Sequence, residues 1–120
     1  MEVQIFGVQK NADTRKAQRF FSERRVRAHW VDLLERPMSE GELQRFIQRF
    51  GIEALIDRTS KRYEDLGLRQ AQPSASRWAT KLLEEPLLLR MPLVRRLGQP
   101  PGLTVGFAED TWKEWLLSAK

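Results

Sequence analysis

The spacing of apolar positions changes several times along this chain, and each change marks an element. Val3-Gln4-Ile5-Phe6 is a short apolar run closed by Gly7, which predicts the end of a buried strand with a tight turn at the glycine. A polar loop follows. Ala17, Phe20 and Phe21 then recur at helical spacing between Thr14 and Arg25. Asp13 or Thr14 is the expected cap of this helix, since a short side-chain oxygen accepts from its unpaired N–H groups. Arg24-Arg25 suit the negative C-terminal end. Val26 to Leu34, with Trp30 and Val31 near the middle, predicts a second strand. Strand, helix and strand in this order make a βαβ unit with an expected right-handed crossover.

The middle of the chain carries helical periods only. Ser39 and Glu42 have capping-box spacing, with Met38 placed to staple onto Leu43. Leu43, Phe46, Ile47 and Phe50 share one face, and Gly51 ends that helix. Ile52 to Ile56 reads as a short further turn, Asp57 to Arg62 as a loop, and Tyr63 to Leu68 as a helical turn ended by Gly67. Pro73-Ser74 opens another helix, with Ala75, Trp78, Ala79, Leu82 and Leu83 on one face and Pro86 at its end. Sheet character then returns. Leu93 to Leu97 and Leu103 to Phe107 flank Gly98-Gln99-Pro100-Pro101-Gly102, which predicts a hairpin. A last helix begins near Glu109-Asp110 and packs through Trp112, Trp115 and Leu116.

The predicted class is therefore α/β, in the order βαβ, helices, ββα: a thioredoxin-like sheet with an all-helical insertion. The expected division is one domain over residues 1–120, with the core at about 1–36 and 86–120 and the insertion at about 37–85. A chain of 120 residues buries roughly two thirds of its unfolded surface, enough for one core. Its 41% hydrophobic and 31% charged residues fit an ordinary globule. No apolar run approaches the roughly 20 residues of a membrane span, and Met1 leads directly into a strand pattern without a signal-peptide profile. The expectation is a cytoplasmic protein without a membrane partner.

Charge and cysteine count narrow the chemistry. The net charge is +5 and the pI about 10.1, but acidic residues are interleaved with the basic ones. A solvated basic surface explains this without a nucleic-acid partner. No RNA-recognition aromatic signature, zinc-finger spacing or helix-turn-helix is visible, so direct nucleic-acid binding is disfavoured. The chain has no cysteine, which removes disulfides, thiolate catalysis and zinc–sulfur sites from these residues. His29 is the single histidine and reads as a plain strand residue rather than a metal ligand.

The loop from Gly7 through Val8-Gln9-Lys10-Asn11-Ala12-Asp13 to Thr14 resembles the catalytic loop of the ArsC/Spx family, in which Lys-Asn-Cys-Asp-Thr follows a glycine and an apolar residue. Further segments are similar to family segments in the same order: Pro37 with Ser39 to Leu43, Ala54-Leu55-Ile56, Tyr63 to Leu68, and Glu85 to Val94. The resemblance runs from Val3 to about Leu117. It implies the thioredoxin-like fold with a helical insertion. It also implies that the family's reducing thiol would stand where this chain has Ala12. The reductases' oxyanion clamp has three arginines. The first aligns with Asp57 or neighbouring Arg58. The second is replaced by Met91, with Arg90 one place earlier, and the third falls near Phe107. The CxxC switch of Spx-type regulators is absent.

The candidate site residues are thus Lys10, Asn11, Ala12, Asp13, Thr14, Arg58, Arg90 and Pro92. A loop feeding a helix N-terminus gathers donors for an anion or thiol ligand, while helix capping alone also accounts for Asn11, Asp13 and Thr14. Arg58 and Arg90 are either a residual anion clamp or two surface arginines. The resemblance implies a cis bond before Pro92. The leading expectation is a catalytically inert relative that acts through protein binding, with the RNA polymerase α subunit as the family-based partner and a transcription-related role. No cofactor is expected. One alternative is a reductase that uses glutathione as an external thiol, and another is a basic nucleic-acid-binding protein.

Overall fold

The computed structural model describes residues 1–119. Its elements are β1 (Glu2–Gly7), α1 (Ala12–Glu23), β2 (Arg27–Asp32), α2 (Glu40–Phe50), α3 (Lys61–Asp65), α4 (Ala75–Glu84), β3 (Leu93–Leu97), β4 (Gly102–Val105) and α5 (Glu109–Ser118). Single 3-10 turns occupy Glu53–Leu55 and Pro86–Leu88. The backbone divides into two compact units. One comprises Met1–Arg36 and the chain from Met91 onward, and the other is Pro37–Arg90.

The first unit is a four-stranded mixed sheet in the order β2-β1-β3-β4. β1 runs parallel to β2 and antiparallel to β3, and β3 is antiparallel to β4. The α/β class and the βαβ, helices, ββα order read from the sequence are therefore observed. Val3, Ile5 and Val94 bury their side chains with Ala17, Phe20 and Phe21 of α1 and Trp112 and Trp115 of α5. The rings of Phe20 and Phe21 lie 5.5 and 5.2 Å from that of Trp112. Large rings bury much area at little entropic cost, and tilted or edge-on pairs favour the ring quadrupoles. The Trp112 indole N–H is sealed inside this core, and it donates to Thr104 Oγ1 at 2.8 Å. Arg96, also buried, donates to Ser118 Oγ at 3.0 Å, which answers its guanidinium from the end of α5.

The Pro37–Arg90 unit packs Leu43 and Phe46 of α2 and Trp78 and Leu82 of α4 with Leu55 and Leu88. Ser39 accepts from the Glu42 N–H and the Glu42 carboxylate accepts from the Ser39 N–H, so the expected capping box forms. Asp57 N–H donates to the Leu88 carbonyl and Arg90 N–H to the Leu55 carbonyl, both at 2.8 Å, around an isolated Ile56–Leu89 bridge.

Several boundaries differ from expectation, each for a local reason. Helix α1 begins at Ala12, because Asn11 and not Asp13 or Thr14 is its cap. It stops at Glu23, where the chain leaves through Arg25 at a φ of 59°. The tight turn falls at Gln9-Lys10 and not at Gly7, which is the last residue of β1. Ser60 accepts from the Tyr63 N–H at 3.1 Å and so starts α3 at Lys61, inside the stretch expected to be loop. β4 ends at Val105, leaving Phe107 outside the hairpin.

Trp112→Ala should cost about 3–5 kcal/mol, the usual range for emptying a fully buried aromatic site. Urea unfolding followed by circular dichroism measures it. Leu117→Ala, at an exposed position of the same helix, should change stability by less than about 0.5 kcal/mol.

Candidate functional site

The loop between β1 and α1 is held by short-range bonds. Asn11 N–H donates to the Val8 carbonyl at 3.1 Å and closes the turn. The Asn11 side-chain oxygen accepts from Thr14 N–H at 2.7 Å and from Thr14 Oγ1 at 2.9 Å. Arg15 reaches back along the helix, its Nη1 donating to the Gln9 and Lys10 carbonyls at 2.9 and 2.8 Å. Thr14 is fully buried, and a Cβ on Gly7 would lie 2.6 Å from its Oγ1. Glycine at position 7 thus allows the first turn of α1 to sit against the end of β1. Lys10 and Ala12 are exposed. Ala12 is the first helical residue, where N–H groups lack intrahelical partners and the macrodipole is positive.

Pro92 and Phe107 share this end of the sheet. Leu93 pairs with Phe6 on one side and with Val105 on the other, which puts Pro92 level with Gly7 and Gly106. Gly106 N–H donates to the Pro92 carbonyl at 2.8 Å. The Met91–Pro92 bond is cis, as expected, and so is Gln99–Pro100. Phe107 is 44% exposed, yet its ring meets Trp112 edge-on at 5.5 Å and carries Lys16 Nζ 5.5 Å above its centre. Lys16 also lies 3.9 Å from Asp13. Sequence reasoning did not foresee that Arg15 fastens the loop or that Phe107, read only as the place of a clamp position, gives this end an aromatic surface. A basic residue one turn into α1 and an aromatic directly after Gly106 were the available signals.

Arg58 and Arg90 belong to the Pro37–Arg90 unit. The Arg58 fork is already engaged. Its Nη1 donates to Tyr63 Oη and its Nη2 to Glu53 Oε2, both at 2.6 Å, and its guanidinium lies 5.8 Å from the Trp78 ring centre. The hydrogen bond to Glu53 raises its pKa above the ordinary arginine value, with a smaller contribution from Tyr63. Arg90 is exposed at the unit's end. His29 lies in β2 and bonds Glu2 Oε2 on β1 at 2.7 Å. That hydrogen bond, with a smaller contribution from the Arg27 charge, holds the Glu2 carboxyl below the usual carboxylate range.

The sequence model of the ArsC family matches residues 6–115. This chain belongs to the ArsC family. Solved structures agree on the fold. An arsenate reductase from Vibrio cholerae is 24% identical with a TM-score of 0.76, covering 95% of this chain and 97% of its own. An ArsC family related protein from Bacteroides fragilis is 16% identical with a TM-score of 0.76, covering 95% and 98%. An arsenate reductase related protein from Brucella melitensis is 22% identical with a TM-score of 0.67, covering 97% and 95%. No curated protein matches the chain in sequence. Among the described residues, no helix is long and apolar enough to cross a membrane. The chain has the β1–α1 loop, a helix start at Ala12 and a cis Met91–Pro92 bond, and it carries a methyl group at position 12.

Asn11→Ala should lower stability by about 1–2 kcal/mol, because the cap on Thr14 is lost, whereas Asp13→Ala should cost less than half as much. Thermal melts of both variants decide between the two residues as cap. Titrated by carboxyl NMR, Glu2 should ionise below the usual glutamate range, and His29→Phe should return it toward that range. A lowered folded-state value means that the ionised carboxylate favours the native state above the ordinary range. That contribution is lost as pH falls through the lowered value.

Proposed function

We propose that this ArsC-family chain is catalytically inert in thiol redox chemistry and acts by binding another protein through the end of the sheet that carries the β1–α1 loop. The observation that carries this reading is Ala12, the first residue of α1. Thiol-dependent reduction needs a sulfur nucleophile with a lowered pKa, which a helix N-terminus favours. A methyl group offers no nucleophile, and no other residue of this chain is a cysteine. The exposed Phe107 ring with Lys16 above it supports a protein-contact role, since an aromatic face beside a cation suits a docking surface.

The partner proposed on the family resemblance is the C-terminal domain of the RNA polymerase α subunit, with the cytoplasm as the setting. Titrating that domain into isotopically labelled protein should shift the amide signals of Lys10 to Thr14 and of Phe107. Unmoved signals at about 1 mM partner, the weak end of measurable affinity, overturn the proposed partner. The competing reading is glutathione held by the loop as an external thiol. A parallel glutathione titration distinguishes it.

The inert-site reading has its own test. The unmodified protein should reduce neither arsenate nor insulin disulfides above a protein-free control. Ala12→Cys should give a thiol that titrates below the reference value of about 8.5, since residue 12 opens α1. Arsenate turnover should stay at background, because Met91 and Phe107 stand where the resemblance expects clamp arginines and developing oxyanion charge lacks donors. Iodoacetamide alkylation against pH measures the thiol, and repurified protein in a coupled assay measures turnover. Turnover by the unmodified protein overturns the reading.

A further inference from the structure

β2 forms one edge of the sheet and pairs with β1 alone among the described residues. Leu33 N–H donates to the Gly7 carbonyl at 2.9 Å, which sets the phase of the strand. In a parallel ladder every second residue turns both backbone groups toward its neighbour. Arg27, His29, Val31 and Leu33 therefore face β1. Ala28, Trp30 and Asp32 present their backbone groups to the open side. Natural edges are commonly blunted by a proline, a bulge or a charge in mid-strand. β2 has none of these between Arg27 and Asp32, and Trp30 at its middle is 38% exposed.

We infer that β2 is the contact surface of a homodimer, in which two copies join edge to edge as antiparallel strands about a two-fold axis at Trp30. Only residues with outward backbone groups can face one another in the hydrogen-bonded pairs of such a ladder. Pairing Trp30 with Trp30 of the second copy sets Ala28 opposite Asp32 at both ends and uses all three outward residues. The Asp32 carbonyl already accepts from Glu35 and Arg36, so the end bonds run from the Asp32 N–H to the Ala28 carbonyl. Charge favours the same arrangement. Arg24, Arg25 and Arg27 lie at the start of the strand and Asp32 and Glu35 at its end, with Arg36 beyond. Antiparallel pairing brings the basic start of each copy beside the acidic end of the other. The two exposed indoles meet on the face that carries Ile5, the β1 partner of Trp30.

Sedimentation equilibrium on the full chain tests this directly. A reversible, concentration-dependent dimer is expected, and a monomer persisting to about 1 mM overturns the inference. The lack of native cysteine makes single thiols unambiguous reporters. Trp30→Cys should form a disulfide-linked dimer, because a hydrogen-bonded antiparallel pair has Cα atoms about 5.5 Å apart, within disulfide range. Leu117→Cys, at a position 71% exposed on α5, should not cross-link at a comparable rate. Equal rates for the two variants overturn the inference. Trp30→Lys places like charges opposite each other and should raise the dimer dissociation constant about tenfold or more. An unchanged constant in that variant, folded by circular dichroism, places the contact elsewhere and also overturns it. Sedimentation of the unmodified chain needs no variant and remains decisive if a Trp30 substitution fails to fold.

Discussion

Helix α1 sits against the end of β1 because residue 7 has no side chain. A Cβ there would come 2.6 Å from Thr14 Oγ1, and Thr14 is fully buried. Close approach of the helix start to the strand end leaves the loop few conformations. Asn11 then serves two donors of Thr14 with one side-chain oxygen, and Arg15 fastens the Gln9 and Lys10 carbonyls from the outside. Residue 12 is consequently exposed at the positive end of α1. The placement of residue 12 in this chain thus depends on a glycine five residues away.

The sheet explains where that rigidity comes from. β1 and β3 are central strands, with Val3, Ile5, Phe6, Leu93 and Val94 all sealed from solvent. Trp112 of α5 binds the rings of α1 to the hydroxyl of Thr104 on β4, so both helices of this unit are tied to the sheet through one side chain. β2 is different. Its side chains are half-buried or exposed, and among the described residues no strand pairs with its outer side. The core therefore holds the loop firmly at the end of β1 while the sheet remains open along β2. These are separate surfaces with separate physics: one is set by a helix terminus and an aromatic, the other by a row of backbone donors and acceptors.

Alanine at residue 12 fits this scaffold without disturbing the fold. Alanine at the first position of a helix has good helical propensity and makes no demand on its neighbours. The capping bonds involve Asn11 and Thr14, so the start of α1 does not depend on sulfur. Arg58 shows the same principle in the Pro37–Arg90 unit. Its guanidinium is bound to Tyr63 and Glu53, and its position is explained by those bonds without a ligand.

The sequence by itself determined the class and order of the elements. Buried strands at Val3 to Phe6 and Leu93 to Leu97, the capping box at Ser39 and Glu42, and the tryptophan faces of α4 and α5 all express local periods that survive without knowledge of neighbours. It also determined that this chain contains no thiol of its own, since composition needs no geometry. Tertiary structure decided the rest. Asn11, Asp13 and Thr14 are all competent caps by chemistry, and the folded chain selects Asn11, whose backbone is extended and whose side-chain oxygen accepts from the Thr14 N–H. Whether Arg58 is a free anion ligand or an internal tie depends on Tyr63 and Glu53 lying within reach, which spacing does not reveal. Phe107 reads as a strand residue by pattern, but β4 stops at Val105 and the ring is left half in solvent against Trp112. The edge position of β2 is likewise invisible in its residues, because a parallel strand's place in the sheet is set by where the later strands pair: β3 takes the other side of β1.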